Sequence, residues 1–340
     1  MENRPLLSIC IPTYNREKYL KECLDSIINQ DGFEKNKIEI VISDNASQDK
    51  TQELAERYQK QYKNIKYFKN NKNIGAILNV INISHKADWK YLWIIWDDDK
   101  ILNWWLSKAY NIILEQKDIG WIFVNYSTYD ERTSSTICKS QMNKMNEWCK
   151  FKIRDDQIIF IDWDGFYNYI DQTPTFLPSL IMKKDFFKDK DLKLFAENAY
   201  PHTGICTLNT KGQKIALITT PFVRWFVPQK NSWQKSGNAL FDAHLDYLMM
   251  NHLVKNDNRC PFDEKKYKQY KKKFLTWYLK LIILSKALWF KQKKEHIAYL
   301  SMIFWKGLVF CFYLMPLLYL PLWKLFRILI PSKYFEQKDT

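Results

Sequence analysis

Three consecutive carboxylates, Asp97, Asp98 and Asp99, follow an apolar run at residues 91–96, and together they have the chemistry of a cation site. The run has the length and the aromatic, β-branched character of a buried strand. Like charges on neighbouring residues repel each other, so the cluster is stabilised when a bound cation compensates it. Carboxylate oxygens favour Mg²⁺ or Mn²⁺ over zinc, and these ions commonly take phosphate oxygens as further ligands. The triplet predicts either a metal and diphosphate site or, as the simpler alternative, a solvated acidic turn.

The elements around the triplet alternate between strand and helix. Apolar runs near residues 6–11, 38–42, 65–68 and 91–96 predict strands, and segments with helical periodicity separate them. This alternation is typical of an α/β fold whose mostly parallel sheet is flanked by helices. In such sheets ligands bind beyond the carboxyl ends of the strands. Three polar clusters fall at that edge: Thr13–Asn15, Asp44 with Asn45, and Asp97–Asp99.

The same region lacks the two common phosphate-binding motifs. No GxxxxGK[ST] sequence and no GxGxxG sequence follows the first predicted strand, which argues against a P-loop nucleoside triphosphatase and a classical dinucleotide site. A metal must then hold the phosphate groups. In this loop Asn15 is also the predicted N-cap of the first helix.

Four segments occur in an order and at a spacing that resemble a known family. They are Ser8–Asn15 (SICIPTYN), Ile40–Thr51 (IVISDNASQDKT), Asn73–Gly75 (NIG) and Trp93–Asp99 (WIIWDDD). Residues 5–125 resemble the family 2 glycosyltransferases of the GT-A fold, and the triplet resembles a subgroup of O-antigen sugar transferases that includes abequosyltransferases. The resemblance implies a GT-A sheet, mixed and mostly parallel, and transfer with inversion at the anomeric carbon.

The resemblance also implies roles for individual residues at the nucleotide. It places four residues of the first loop against the nucleotide base: Pro12, Thr13, Tyr14 and Asn15. Asp44 would bind the base or the ribose, and Asn73 would border the nucleotide. In the resembled subgroup the segment at 221–233 closes over the donor, so Arg224 or Lys230 would meet the diphosphate as charge develops on the leaving group, with an ordinary surface strand and loop as the alternative.

In the resembled family, acids of the DxD type hold the metal and the sugar diphosphate. Here they fall on Asp97, Asp98 and Asp99. Many members read Asp-x-Asp-Asp, and aligning their final Asp with Asp99 puts Trp96 in the place of the first. Two assignments stay open at this point, in which either Asp97 and Asp99 form the DxD pair or Asp98 is the metal ligand.

An inverting transfer needs a general base that deprotonates the acceptor hydroxyl. Family members commonly supply it from an acidic pair before a Lys-Gly-like turn, which here is Lys211-Gly212, but no acidic pair precedes it. Glu197 and His202 are the candidates, because a carboxylate or a neutral imidazole is a competent base near pH 7. Asp162 and Asp164 are further candidates.

Charge is distributed unevenly along the 340 residues. The formal net charge is +15, and residues 255–340 hold 18 Lys and Arg against 6 Asp and Glu. We therefore expect a domain at 1–254, with a nucleotide-sugar half at 1–125 and an acceptor half at 126–254, followed by a basic tail at 255–340.

The tail predicts membrane contact. Residues 265–294 combine lysines with apolar residues at helical spacing, as in amphipathic helices at a membrane surface. Residues 307–323 are free of charge but contain Pro316 and Pro321, which favours an in-plane or re-entrant helix over a simple span. Interleaved aromatic residues and the lack of a nucleic-acid motif favour anionic phospholipid over nucleic acid.

Together with these patterns, the resemblance implies a Mn²⁺- or Mg²⁺-dependent glycosyltransferase. Its donor would be a nucleotide diphosphate-sugar, and its acceptor a saccharide or a lipid-linked species such as a polyprenyl diphosphate, in bacterial surface polysaccharide synthesis. Seven cysteines without a CxxC pair and the lack of a secretory signal predict a peripheral or monotopic enzyme on the cytoplasmic face of the plasma membrane. The alternatives are a nucleotidyltransferase and a catalytically decayed membrane-bound scaffold.

Overall fold

The computed structural model describes residues 6–30, 33, 38–88, 90–102, 105–130, 133–140, 142, 154, 156–162, 165–166, 175–196, 198–226, 239–261, 264–265, 267–269 and 271–272. The chain divides into two compact units. One comprises residues 1–230 and 257–261, and the other comprises residues 231–256 and 262–340. The predicted division into 1–254 and 255–340 stays a prediction.

Strands and helices alternate in the first half of the first unit. They are β1 (Leu7–Thr13), α1 (Glu17–Ile28), β2 (Ile38–Asp44), α2 (Thr51–Gln61), β3 (Ile65–Lys69), α3 (Ala76–Lys86) and β4 (Tyr91–Ile94). The four strands are parallel and lie in the order β3-β2-β1-β4. Every residue of β1 and β2 is buried, as expected for central strands that are covered on both faces.

The second half of this unit adds antiparallel pairs to the sheet. Its elements are β5 (Lys100–Ile101), α4 (Trp105–Glu115), β6 (Ile119–Asp130), β7 (Ser135–Cys138), β8 (Ile158–Asp162), β9 (Leu180–Lys183), α5 (Asp189–Leu194), α6 (Pro201–Asn209) and β10 (Lys214–Phe226). β9 lies antiparallel between β4 and β6, whereas β6 and β10 are parallel. The described residues thus form one ten-stranded mixed sheet, which confirms the predicted α/β class.

The core lies between this sheet and its helices. Helix α1 buries Leu20, Cys23, Leu24 and Ile27, whose spacing of three and four residues places them on one helical face. Trp93 and Trp121 are fully buried, and each indole nitrogen donates a hydrogen bond, to the Pro178 carbonyl at 2.9 Å and to Thr210 Oγ1 at 2.8 Å. These bonds satisfy the polar atoms of the two largest core side chains.

The second unit contains helix α7 (Ala239–Asn256). The Tyr267 hydroxyl lies 2.6 Å from His252 Nδ1 and ties the residues that follow α7 to the helix. Among the described residues, which end at 272, no helix combines the length and the apolar composition needed to cross a bilayer. The predicted tail helices at 265–294 and 307–323 lie almost wholly outside the described residues.

Candidate functional site

The register of the parallel strands brings the predicted polar clusters to one edge of the sheet. Thr13 and Asp44 end neighbouring strands and are directly paired. On the other side of β1, Cys10 pairs with Ile94. Only two residues, Ile95 and Trp96, separate Ile94 from Asp97, so the acidic triplet lies above the same edge. Two clusters that are far apart in sequence therefore face one site, as the strand pattern predicts.

Asp97 receives hydrogen bonds from two residues of the first loop. Thr13 Oγ1 donates to Asp97 Oδ2 at 2.7 Å, and Arg16 Nη1 donates to Asp97 Oδ1 at 3.3 Å. The same guanidinium nitrogen also donates to Asp98 Oδ2. Two carboxylates of the triplet thus converge on a single cationic nitrogen. The simpler alternative of a solvated acidic turn does not fit, because Asp97 and Asp99 are buried.

Burial has the largest effect on the pKa of Asp97. Desolvation raises the pKa of this carboxyl to about 7, and Arg16 offsets only part of that effect, while the neighbouring charge of Asp98 adds to it. Asp99 lies deeper, toward helix α1. Burial and the nearby Asp99 charge both raise the pKa of the Cys23 thiol well above its usual range. Burial therefore opposes ionisation of Asp97 more strongly than Arg16 favours it.

Asp44 is completely buried and helps to shape its own loop. Oδ1 accepts a hydrogen bond from the Ser47 amide at 2.7 Å, and Oδ2 accepts one from the Tyr67 hydroxyl at 2.7 Å. Both carboxylate oxygens are thus hydrogen-bonded within the protein and enclosed from solvent. The predicted role of Asp44 at the base or ribose stays a prediction.

Asn15 fastens the first loop to the second. It has a positive φ of 51°, its amide donates to Ser47 Oγ at 2.8 Å, and its Oδ1 accepts from the Gln48 amide at 2.7 Å. The prediction of Asn15 as a helix N-cap is wrong, because that place belongs to Arg16, whose side chain makes no capping hydrogen bond. The Glu17 amide at the start of the helix donates instead to Asp49 Oδ2 at 3.2 Å. Pro12 is buried beneath this loop, whereas the Tyr14 side chain is exposed and available to a ligand.

Hydrogen bonds that involve asparagine side chains hold the loop of Asn73, another residue predicted to border the nucleotide. Asn73 Oδ1 accepts from Asn45 Nδ2 and from the Gly75 amide, both at 2.9 Å. Gly75 has a φ of 86°, which a residue with a side chain adopts only with strain, and it begins helix α3. Asn45 Oδ1 also binds this loop, because it accepts a hydrogen bond from the Ile74 amide at 2.9 Å. Asn73 is exposed at the same sheet edge as Asp44, consistent with its predicted place beside the nucleotide.

The strand that carries Arg224 pairs with the short strand that follows the triplet. Arg224 lies opposite Lys100, the residue that directly follows Asp99. Its guanidinium lies over the Tyr129 ring, 5.4 Å from the ring centre. Lys100 in turn pairs with Glu22 Oε2 at 2.7 Å. The structure therefore places Arg224 next to the acidic segment, and its contact with a diphosphate stays a prediction.

The two predicted general bases differ in what the structure describes. His202 is buried near the start of α6, and its Nε2 donates to the Thr175 carbonyl at 3.0 Å. Desolvation lowers the pKa of His202 to about 4, so the ring is neutral near pH 7, and Nδ1 is its basic atom. These contacts are those of a packed residue away from solvent. Glu197 and Asp164 lie outside the described residues, and neither candidate base is tested.

The donor set suits a divalent cation completed by the substrate. Asp97 and Asp98 offer carboxylate oxygens, and they already converge on a positive charge. Within the described part of the chain, no three His, Cys, Asp or Glu side chains are grouped to hold a metal by themselves. Mg²⁺ and Mn²⁺ sites often use one or two carboxylates together with phosphate oxygens and water. The residues present fit that arrangement.

Sequence reasoning missed Arg16. The residue directly follows the Pro-Thr-Tyr-Asn loop, and a signal was available, since an acidic triplet opposite this loop needs a compensating cation. Residues 16 and 98 are more than 80 positions apart, so only the sheet register shows that they meet.

Comparisons with known proteins agree on one family. The model of the family described as glycosyl transferase family 2 matches residues 8–165. The abequosyltransferase RfbV of Salmonella typhimurium is 31% identical over 250 residues, which cover 69% of this chain and 70% of the relative. The GalNAc(5)-diNAcBac-PP-undecaprenol beta-1,3-glucosyltransferase of Campylobacter jejuni is 26% identical over 295 residues, 84% of this chain and 86% of the relative.

Solved structures share the fold at lower identity. The crystal structure of S. aureus TarS 1-349 in complex with UDP-GlcNAc superimposes with a TM-score of 0.60 at 18% identity, over 87% of this chain and 79% of that chain. At this identity the likeness establishes the architecture alone.

Proposed function

The chain belongs to glycosyltransferase family 2, and from that premise we propose that it transfers a sugar from a nucleotide diphosphate-sugar to a saccharide or lipid-linked acceptor of a bacterial surface glycan. It has the predicted GT-A fold, and its family makes it a glycosyltransferase. The nucleotidyltransferase and the decayed scaffold are therefore not retained as alternatives.

One observation carries the proposal for the donor site. Asp97 and Asp98 converge on one cationic nitrogen at the carboxyl edge of the sheet, beside the loop from Pro12 to Asn15. A diphosphate that enters here meets the carboxyl groups of Asp97 and Asp98, so its binding requires added positive charge. We propose that a divalent cation supplies it and that Asp97 and Asp98 hold that cation.

Several residues of the chain would then have separate roles in binding the donor. Mn²⁺ or Mg²⁺, when bound, would neutralise the charge that develops on the departing nucleoside diphosphate. Asp44, Asn73 and Tyr14 would orient the nucleoside, and Arg224 would add positive charge on the side of β10. Orientation of this kind lowers the barrier because the reacting groups are already positioned before transfer.

Inversion and the general base belong to the same proposal. A single displacement needs a base at the acceptor hydroxyl, and His202 or Glu197 would accept that proton. His202 carries a neutral ring near pH 7 with Nδ1 as its basic atom, but burial lowers its pKa to about 4, which makes it a weak base.

Relatives guide the proposed acceptor and location. The names of two relatives specify an abequosyltransferase and an enzyme that acts on an undecaprenol-linked glycan. Together with the basic, aromatic-rich residues of 265–294, they support a peripheral enzyme at the cytoplasmic face of the plasma membrane. Each lysine near an anionic surface would contribute about 1 kcal/mol to the attachment.

A thermal-shift panel of nucleotide-sugars tests the proposal on the full chain. One donor with Mn²⁺ should raise the melting temperature, because a ligand that binds only the folded state stabilises it. The same donor should then release its sugar slowly to water, and EDTA should stop this turnover until Mg²⁺ or Mn²⁺ is restored. Turnover that persists in EDTA would refute the metal role. A folded chain that binds and hydrolyses none of the donors would refute the proposed activity.

A further inference from the structure

Arg16 connects the first loop to the acidic triplet. Its backbone amide donates to Thr51 Oγ1 at 3.2 Å, which fixes the start of its side chain, and the guanidinium lies 5.6 Å from the Tyr19 ring centre. Nη1 bonds to both Asp97 and Asp98. The side chain is 33% exposed, whereas that of Asp97 is 6% exposed. One end of the guanidinium therefore contacts buried carboxylates while the rest faces the open side of the site.

A divalent cation on these carboxylates would compete with Arg16. The oxygen atoms that bond to Nη1, Asp97 Oδ1 and Asp98 Oδ2, are among the ones a metal would take. Two cations within a few ångströms of each other repel strongly in a partly buried site. The guanidinium must then turn away from the aspartates. Its planar array of donors matches phosphate oxygens, so a diphosphate at this edge is a suitable new partner.

We propose that Arg16 is an exchangeable counter-ion, which pairs with Asp97 and Asp98 in the absence of ligands and binds the diphosphate of the donor when a divalent cation takes its place. This inference rests on the proposed function. The exchange of Arg16 would make the binding of metal and donor mutually favourable. The metal alone must displace Arg16 without a new partner for the guanidinium, whereas the metal with a diphosphate provides that partner.

Two opposite effects of one substitution test the exchange. In Arg16→Gln, Mn²⁺ alone should bind at least about fivefold more tightly, because its competitor for the carboxylates is gone. Inorganic pyrophosphate, measured at saturating Mn²⁺, should bind about tenfold more weakly, because a charge-assisted contact is lost. Free Mn²⁺ is followed by its electron paramagnetic resonance signal, and pyrophosphate by titration calorimetry. Neither measurement needs catalysis or the identity of the sugar.

Controls separate the exchange from a structural role. Lys21→Gln removes an exposed positive charge from the same helix, where Lys21 pairs with Asp25 at 2.5 Å, and should change neither affinity. Arg16→Lys keeps the charge and should fall between wild type and Arg16→Gln in both titrations. If Arg16 only stabilised the fold, Arg16→Gln would weaken the binding of Mn²⁺ and pyrophosphate together. If Mn²⁺ binds Arg16→Gln no more tightly than wild type, the exchange is wrong.

A hydrolysis assay and the Mn²⁺ titration together distinguish a failure of this inference from a failure of the proposed function. Slow hydrolysis of a nucleotide-sugar by the wild-type chain with Mn²⁺ would support the proposed activity whatever Arg16 does. Mn²⁺ binding that is equal in wild type and Arg16→Gln would overturn the exchange alone. If Arg16→Gln does not fold, Arg16→Lys provides the second test, provided that it melts like the wild type. Compared with wild type, Arg16→Lys must still bind Mn²⁺ more tightly and pyrophosphate more weakly.

Discussion

Arg16 and Arg259 each bridge two aspartates, yet the two clusters are built differently. Arg259 uses three nitrogens, with contacts of 2.7 to 3.0 Å to both oxygens of Asp191 and to both oxygens of Asp257. Arg16 uses one nitrogen for both of its aspartates. The Arg259 cluster has a guanidinium matched to its carboxylates, and the Arg16 cluster does not.

The pKa values of the aspartates show the same difference. Burial would raise the pKa of Asp191, but hydrogen bonds from Arg259 and Asn209 outweigh it and hold that pKa below its ordinary value. Burial raises the pKa of Asp97 to about 7 in spite of Arg16. A charge pair that only supports the fold is compensated by the chain itself. A carboxylate that binds an external cation stays under-compensated until the ligand arrives, at a cost in stability.

Removing the under-compensated carboxylate gives the largest expected effect. Asp97→Asn should lower the rate of sugar transfer or donor hydrolysis about 100- to 1,000-fold, because it removes a charge that stabilises the transition state through the cation. Its melting temperature in EDTA at pH 8 should equal or exceed that of the wild type, because the neutral amide imitates the protonation state that burial favours.

Asp118→Asn is the matched control for this change. Asp118 is exposed and pairs with Lys214 at 3.0 Å, outside the proposed site, so its variant should keep the wild-type rate. A normal rate in Asp97→Asn, or a large loss of stability, would remove the distinction between the two clusters.

The compensated cluster should respond in the opposite manner. Asp191→Asn leaves Arg259 with less negative charge and should lower the free energy of unfolding by about 3 kcal/mol, since breaking a buried pair costs more than forming it gains. The Asp191 side chain is only 1% exposed, so water does not replace the lost partner. Urea unfolding measures the loss.

The rate per folded molecule provides the second readout for Asp191→Asn. It should stay within about twofold of wild type at a temperature where both are folded, because distant stabilising sites act independently of the chemistry. A selective loss of rate with normal stability would mean that the Arg259 cluster also serves the active site.

The sequence predicted the half of the fold in which strands and helices alternate regularly. The buried runs that became β1, β2 and β4 have strong apolar patterns, and parallel pairing then fixes their carboxyl ends at one edge. This is why Thr13, Asp44 and the triplet were predicted to meet. Short strands such as β5, with two residues, and β7, with four, carry too little pattern to be found.

The side-chain contacts at the two clusters could not be predicted from the sequence. Arg16 with Asp98, and Arg259 with Asp191, are long-range pairs whose partners depend on side-chain direction, and composition does not contain that information. The positive φ of Asn15 was also missed, because its side chain bonds to the second loop instead of the helix it precedes. His202 shows the same limit, since only the structure shows that its ring is buried.

The smallest expected effect is a difference in pH dependence between the two clusters. Asp97 has a folded pKa of about 7 against an ordinary 3.8, so the folded chain keeps a proton that the unfolded chain releases. Its contribution to stability is therefore lost as pH rises from about 4 to 7. The pKa of Asp191 is lowered, so its contribution is present above pH 4 and is lost as pH falls below that value.

Urea unfolding in EDTA at pH 5 and pH 8 compares these slopes. The stability of Asp97→Asn relative to wild type should increase by about 2 kcal/mol between the two pH values, because about two of these three pH units lie below the folded pKa of Asp97 and each is worth about 1.4 kcal/mol. The stability of Asp191→Asn relative to wild type should stay constant over the same range, because that carboxylate is ionised throughout. Equal slopes for the two variants would mean that Arg16 compensates its aspartates as fully as Arg259 does, and that the acidic triplet needs no external cation.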